Sequence, residues 1–566
     1  MLKLFYILRF AGFPGEAEFQ FSGKKGRFMK KTIYYNGDIL TMEPGGMPDA
    51  VLTEDGVIRA VGTREALFAR SGRDTALCDL QGHTLLPAFI DPHSHITAYA
   101  KTVSLVSLEG CKSFEEIAER ICRFQNENNL RKGEWISGFG YDQNDLKEGR
   151  HPDKTLLDQA CGEHPVLISH ASGHMGVANT LALHEIGVTA QTPDPQGGHI
   201  GRLPDGREPD GYLEETAFTG IKGLPQPTLE EQCSQMRRAQ DAYLRYGITT
   251  VQDGLTRADE WRLLKLMAGQ NALKLDIVSY IDLNLCKNLV RENPQFVNRY
   301  QNRLKIGGYK VFLDGSPQGR TAWMSRPYEG SDDGDYRGYP VYQDGQMREF
   351  MRIAESEGLQ ILAHCNGDAA AQQMIDAYAQ AHAQRQRDIR PVMIHAQLVR
   401  PDQLTAMRRL SMTASFFAAH TWYWGDTHLK NFGRERGARI SPAGSALRSG
   451  VNFTFHQDTP VVPPDMLFTI WCAVNRVTKD GEKLSQAECI TPYEALEAVT
   501  VNAAWQYFEE DAKGSIRAGK RADLVILDRN PLRVNPMEIR NIQVLRTIKD
   551  GETVYEKTGS EKAAVL

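Results

Sequence analysis

The chain has 566 residues, 41% hydrophobic and 24% charged, with 50 glycines and 26 prolines, a composition with ample core that excludes collagenous and disordered classes. A formal net charge of −5 gives no electrostatic reason to expect a phosphate-backbone partner, so nucleic-acid binding is not expected. No apolar run approaches the roughly 20 residues that cross a bilayer, so no membrane partner is expected. The nine cysteines are scattered, odd in number and without CxxC spacing, which fits free thiols in a reducing, cytoplasmic compartment.

At the start of the chain, MLKLFYILRF is a poor signal peptide: its apolar stretch is short, Arg9 interrupts it, and no small-x-small site follows. Residues 1–28 are therefore expected to form an extension outside the core, with Met29 as an alternative natural start. Short β-rich stretches come next, TIYYNGDILTM, AVLTEDGVIRAVG and CDLQGHTLLPAFID, separated by Gly, Pro and Asp turn signals. Beyond them, segments such as WISGFGYD, HPVLISHA, GITTVQDG, LKIGGYKVFLDG, LQILAHCNGD, PVMIHAQLV and NFTFHQD alternate with helical patterns such as SFEEIAERICRFQNEN and TLEEQCSQMRRAQDAYLRYG. Repeated β then α predicts a parallel sheet with helices outside it, and at this length a closed barrel. Residues 187–212, rich in Gly, Pro and Asp, read as a long loop or small β-insert near the barrel mouth. The C-terminal stretches KGSIRAGKRADLVILD and LRTIKDGETVYE are again short β-branched runs broken by Gly-Lys and Asp-Gly turns, the second a hairpin.

The strand LLPAFIDPHSHI ends in Asp91, His93 and His95. Histidines at i and i+2 on a strand share a face, so both imidazoles reach one metal ion; alone, the pair reads equally well as two surface or core histidines. The company it keeps is more informative, because His364, His395 and Asp458 each end other strands. Imidazoles with a carboxylate suit Zn, and also Fe, Mn or Ni.

With PAFIDPHSH (87–95), HPVLISHASGHMGVAN (164–179), GITTVQDG (247–254), KVFLDGSPQGRTA (310–322), HCNGDAA (364–370), IHAQLV (394–399), HQDTPVVPP (456–464) and GSIRAGKRADLVILD (514–528), the chain resembles the amidohydrolase superfamily. Within it, the resemblance is to the branch of N-substituted formamide deformylase and the YtcJ-like hydrolases. The resemblance implies an α/β fold: a (β/α)8 TIM-like barrel over 86–504 with inserts around 110–225, joined to a small β-sandwich built from 29–85 and 505–566. It also implies that His93 and His95 are first-strand metal ligands, His364 and His395 ligands after the fifth and sixth strands, and Asp458 the eighth-strand aspartate. Lys310 falls where two-metal relatives carry a carboxylated lysine bridging both ions. The competing reading of Lys310 is an ordinary ammonium paired with Asp314 or another carboxylate.

His456, two residues from Asp458, is open to three readings: substrate contact, orientation of Asp458, or lining of the barrel. Cys365 beside His364 reads as a buried thiol rather than a nucleophile. The ligand set implies one or two divalent ions, Zn first among them, with hydrolysis of an amide or N-substituted formamide C–N bond by metal-bound hydroxide and Asp458 as general base and acid. Tyr141, Asp142, His174, His420 and Trp422, with Tyr423 and Trp424, are candidate substrate-binding or rim-packing residues on loops at the mouth. The expected partner is a small amide-like molecule, with a homodimer open as an assembly state. Two other functions remain: a deaminase of the same superfamily, disfavoured because no Glu follows His364, and a catalytically silent metal-binding protein, disfavoured by intact ligands on five strands.

Overall fold

A computed structural model describes residues 31–557 apart from 129, 171–173, 222–223, 225–226 and 332–333; the expected extension over 1–28 and the start at Met29 lie outside the described residues. The described chain separates into two compact units, one of residues Ala98–Met236 and the other of 31–97 with 237–557. No described helix is long and apolar enough to cross a membrane.

The unit over Ala98–Met236 is built on a six-stranded sheet, in spatial order Gly198–Arg202, Pro209–Glu215, Met175–Ala178, Val166–His170, Ile136–Tyr141 and Val106–Ser107. The amphipathic pattern of SFEEIAERICRFQNEN forms the helix Phe114–Asn128, which buries Ile117 and Ile121 against Ile136, Ile168 and Leu157. WISGFGYD and HPVLISHA do form strands here, paired parallel to each other, but they are not barrel strands. A buried parallel run has the same apolar pattern in any sheet, and Val166–His170 betrays itself only through its next partner, the antiparallel Met175–Ala178. Of the two readings of residues 187–212, long loop or small β-insert, the strands favour the insert, with Gly198–Arg202 pairing antiparallel with Pro209–Glu215.

The second unit carries an eight-stranded parallel sheet, curled as in a TIM barrel: β1 (Phe89–Ile90), β2 (Ile248–Thr256), β3 (Asp276–Asp282), β4 (Leu304–Phe312), β5 (Gln360–Cys365), β6 (Val392–His395), β7 (Thr413–Phe416) and β8 (Phe453–Phe455). Consecutive strands are neighbours throughout, as β–α alternation requires of parallel strands joined by crossover helices. Asp344–Glu357 illustrates the helices: Met347, Phe350, Met351 and Ala354 recur at helical spacing and are buried, and Gly358 ends the helix in the left-handed conformation (φ 67°). Beyond the edge strands, the Asp458 amide donates to the His93 carbonyl (3.3 Å) and the His95 amide to the Thr459 carbonyl (2.8 Å). These bonds tie the segment after β8 to that after β1 and bring the first and last candidate ligands side by side.

Both chain ends supply the remaining sheets. Four strands, in order Val57–Gly62, Ala50–Glu54, Lys31–Tyr35 and Thr75–Asp79, form one; Asp38–Ile39, Thr84–Pro87, Leu524–Leu527, Val544–Lys549 and Glu552–Glu556 form the other. Tyr34, Val51 and Ile58 of the first sheet share a core with Leu85, Leu524, Ile526 and Ile548 of the second. The hairpin in LRTIKDGETVYE turns at Asp550 (φ 49°) and Gly551 (φ 74°), positive at both central positions as a type I′ turn demands.

Candidate metal centre

The polar side chains of the curled sheet converge at the C-terminal ends of its strands, where barrel enzymes gather catalytic groups. His93 and His95 follow β1, Lys310 lies near the end of β4, His364 on β5, His395 closes β6, and Asp458 stands three residues past β8. His93, His395 and Asp458 form a buried cluster whose ligand atoms all lie within 4.8 Å of one another, a divalent-metal-binding arrangement. The Nε2 atoms of His93 and His95 each stand 3.2 Å from Asp458 Oδ1, and His395 Nε2 is 3.9 Å from Asp458 Oδ2. His395 (φ 72°) and Asp458 (φ 54°) occupy the left-handed region, a conformation that costs non-glycine residues energy and concentrates at functional sites.

Hydrogen bonding fixes which nitrogen of His93 is free. Gln252, on β2, donates its amide Nε2 to the Pro92 carbonyl at 2.7 Å, so its Oε1 faces His93 Nδ1 at 2.6 Å and requires a proton there. Burial, followed by the nearby Lys310, pulls the His93 imidazole down to about 3, so the ring is neutral and its Nε2 carries a lone pair. That lone pair faces both the Lys310 Nζ and Asp458 Oδ1, each at 3.2 Å, and the Asp458 oxygen is buried without a hydrogen-bond partner. A buried carboxylate oxygen without a donor, beside imidazole nitrogens, is a ligand set that a metal would complete, so the residues present fit a bound metal. Gly254 makes the approach possible: a Cβ there would meet His93 Cε1 at 2.7 Å.

A second group of donors adjoins the first. His364 Nε2 lies 3.2 Å from the Gly315 carbonyl and 3.0 Å from the Asn366 amide nitrogen, and its Nδ1 faces His395 Nε2 at 3.1 Å. Burial, with Lys310 second, brings His364 down to about 4. His395 is braced in turn: its Nδ1 is 3.1 Å from His456 Nε2, and His456 Nδ1 is 2.8 Å from Ser415 Oγ. Both nitrogens of His456 are thereby engaged inside the barrel.

Lys310 is fully buried, with its Nζ 3.2 Å from His93 Nε2. Burial pulls its ammonium down to about 7. Among the described residues it makes no ion pair with Asp314, whose oxygens accept the amides of Gly367 (2.7 Å), Asn366 (2.9 Å) and Trp323 (3.0 Å). Cys365 is a buried thiol against Met374 Sδ and the Ala370 carbonyl, and burial pushes its pKa up.

The other residues singled out in the sequence do not belong to this cluster. In the Ala98–Met236 unit, the buried Tyr141 hydroxyl is 3.1 Å from His151 Nδ1, Asp142 is 3.7 Å from His170 Nε2, and His174 Nδ1 is 3.1 Å from a Glu215 oxygen. In the other unit, Trp422 packs edge-on against Trp471 at 5.3 Å, with the Arg540 guanidinium over its ring at 5.7 Å. His420 is buried, its Nδ1 3.1 Å from His428 Nε2. Reasoning from the sequence assigned no part to Gln252, Ser415 or His428. The first was visible as a polar residue inside the apolar run ITTVQDG; nothing in the local pattern marks the other two.

Over 558 residues the chain is 26% identical to YtcJ of Bacillus subtilis, covering 93% of this chain and all of YtcJ. It is 28% identical to the N-substituted formamide deformylase of Arthrobacter pascens, covering 94% and 99% of the two chains. Among solved structures, an uncharacterized metal-dependent hydrolase from Pyrococcus furiosus superposes with a TM-score of 0.70 at 26% identity, over 89% of this chain and the whole of the other. Residues 76–555 match the profile of the Amidohydrolase family. A curled parallel sheet with His93, His395 and Asp458 clustered at its C-terminal ends is the kind of metal site found in catalytic amidohydrolases of carbon–nitrogen bonds, and the chain belongs to the amidohydrolase family.

Proposed function

We propose that the protein hydrolyses the C–N bond of a small N-substituted amide, with formamides the leading class. The observation that carries this reading is the pair of imidazole nitrogens, of His93 and His95, that face a buried carboxylate oxygen of Asp458 without a hydrogen-bond partner, a set that a metal would complete. Likeness to a formamide deformylase along nearly the whole chain supports the substrate class. His93, His95 and Asp458 would hold one ion, and His364 and His395 a second; imidazole and carboxylate donors suit zinc. With its pKa near 7, Lys310 is partly free amine at neutral pH, the form that reacts with CO₂, and its carbamate would give each ion an oxygen. When bound, the metal supplies Lewis acidity and lowers the pKa of a coordinated water from about 15.7 to about 7.

Asp458 then accepts a proton from the attacking water and hands it to the leaving nitrogen, while Gln252 and His456 keep His93 and His395 in their working orientations. A deaminase reading gains no support after β5: Asn366 donates to the Gly315 carbonyl (2.8 Å), and Asp368 is engaged by Ser325 and by Arg400 (2.9 Å). All nine cysteines are free thiols, and we place the protein in the cytoplasm. The test is an assay of the metal-reconstituted full chain against N-substituted formamides, acylated amines, hydantoins and nucleobases. Release of formate and amine is the expected result. Ammonia release from nucleobases alone would assign a deaminase, and no turnover by metal-loaded protein would refute the reading.

A further inference from the structure

A pair of buried histidines lies next to the metal centre without belonging to it. His420 opens the short helix His420–Tyr423, and its ring is packed by Phe417 and Trp424, each 4.5 Å away between centroids. Phe417 also touches His456 (5.3 Å) and His395 (6.0 Å), so a single aromatic ring adjoins His420 and the histidines of the metal centre. Asp458 and His364 are near enough to act on it electrostatically. His428, in the helix Gly425–Gly437, is fully buried, with its ring parallel to that of His420 within 4° and its Nε2 3.1 Å from His420 Nδ1.

His428 is held firmly. Phe432 stacks on its ring at 5.9 Å, and Asn431 fastens the same helix to the segment after β4 by donating to the Pro317 carbonyl (3.0 Å) and accepting from Arg320 Nε (3.0 Å). Both rings are neutral: burial alone pulls His428 down to about 3, and burial followed by His428 holds His420 well below its ordinary value. A single proton therefore lies between the two rings, and its position is decided at the far side of His428, where Nδ1 is buried with no partner. A buried N–H without an acceptor is rarer and costlier than a lone pair without a donor. Hence His428 carries its proton on Nε2 and donates it to His420 Nδ1, and His420 carries its own on Nε2. That outer nitrogen has no hydrogen-bond partner among the described residues and is not among the atoms sealed from solvent.

We propose that His420 is a catalytic hydrogen-bond donor whose Nε2–H, fixed by His428 as a positioning residue, binds the substrate's carbonyl oxygen and the negative charge that develops there as water adds. This rests on the reading of the site as a C–N hydrolase. No proton leaves His420 at any stage: it is a neutral electrophile, preorganised before substrate arrives.

The test uses metal-loaded full-length protein, acetohydroxamate as a carbonyl-bearing probe, and the best formamide substrate from the assay above. Removing one such donor costs about 10²- to 10³-fold in kcat, so His420→Phe should lose that much with KM little changed and acetohydroxamate binding weakened about tenfold. Loss of a supporting partner costs about 10- to 100-fold, which is the expected fall in kcat for His428→Leu. His428→Gln, with an amide N–H in place of the imidazole donor, should recover to within a few-fold. Metal content and urea midpoint of each variant identify any that fails to fold, and ¹⁵N-histidine NMR of the wild type reads the tautomers without substitution. Wild-type kcat and probe binding in folded His420→Phe, or a proton on His420 Nδ1, would overturn the proposal. If the wild type cleaves no amide, the reaction assignment fails, and probe binding with the tautomer measurement still decides the donor role.

Discussion

Two groups of buried polar side chains stand at opposite ends of the same strands, and they are satisfied in opposite ways. At the N-terminal end, Asp276 opens β3 and meets Lys513 (2.6 Å), Lys549 (2.7 Å), Arg521 (3.3 Å) and Arg303 (3.4 Å). Asp523 shares Lys549 (2.6 Å), and Glu509 takes Lys513 (2.6 Å), Lys305 and the Tyr300 hydroxyl (2.8 Å). Each of these carboxylates faces a cation, and the set pins the C-terminal segment to the floor of the barrel. At the C-terminal end, Asp458 Oδ1 faces the imidazole nitrogens of His93 and His95 and has no hydrogen-bond partner. Asp276 and Asp458 are both buried, so burial by itself does not mark function. What marks it is a donor set left electrically incomplete, because a buried charge without a partner persists only where something else is meant to complete it.

Breaking the upper group should cost activity and metal while leaving the fold. Asp458→Asn removes the proton acceptor and should lower turnover by about 10²- to 10⁴-fold, measured as kcat at equal metal loading; near-normal turnover would assign the proton transfer to another group. His93→Ala should lower both activity and metal content measured by elemental analysis, and unchanged content in a His93, His95 double variant would dismiss the ligand assignment. Lys310→Ala should bind less metal and regain some with bicarbonate and a short carboxylate, whereas preserved activity in Lys310→Arg would mean that only a positive charge matters there.

Breaking the lower group should do the reverse. Asp276→Asn strands buried cations, and removing one partner of such a pair costs about 3–5 kcal/mol, visible as a lower urea midpoint with unchanged metal content per folded molecule. The sign of its pH dependence follows from the same contacts. Burial would raise the Asp276 pKa, but Lys513, Lys549 and Arg521 outweigh it and hold it far below the ordinary value. Its stabilisation is therefore complete above about pH 4, the unfolded carboxylate range, and is lost as pH falls below it; Asp276→Asn should flatten that part of the stability curve.

The smallest effect sharpens the comparison from within the upper group. Gln252→Leu keeps every ligand but removes the acceptor that sets the His93 tautomer, and should weaken metal affinity about 10- to 100-fold. Gln252→Glu, which retains an acceptor, should bind within a few-fold of wild type. Equal affinity in Gln252→Leu would mean that the tautomer is set elsewhere.

Alternation and turn signals determined much of this molecule. Period-2 runs at both chain ends give paired sheets, β–α alternation gives the parallel sheet, and a His-x-His after an apolar strand puts two imidazoles on one face. Those features are local, and each is written within a dozen residues. Tertiary structure alone decided that Ile136–Tyr141 and Val166–His170 pair outside the barrel, since an apolar strand does not encode its neighbour. It also decided the electronic state of the site. His93 finds Gln252 across 159 positions and His395 finds His456 across 61, and only the closed approach of the first and last strands sets Asp458 against His93. Periodicity tells which face a side chain takes; which atom waits there, and whether it brings a proton or a lone pair, is fixed by contacts that exist only once the whole sheet has curled.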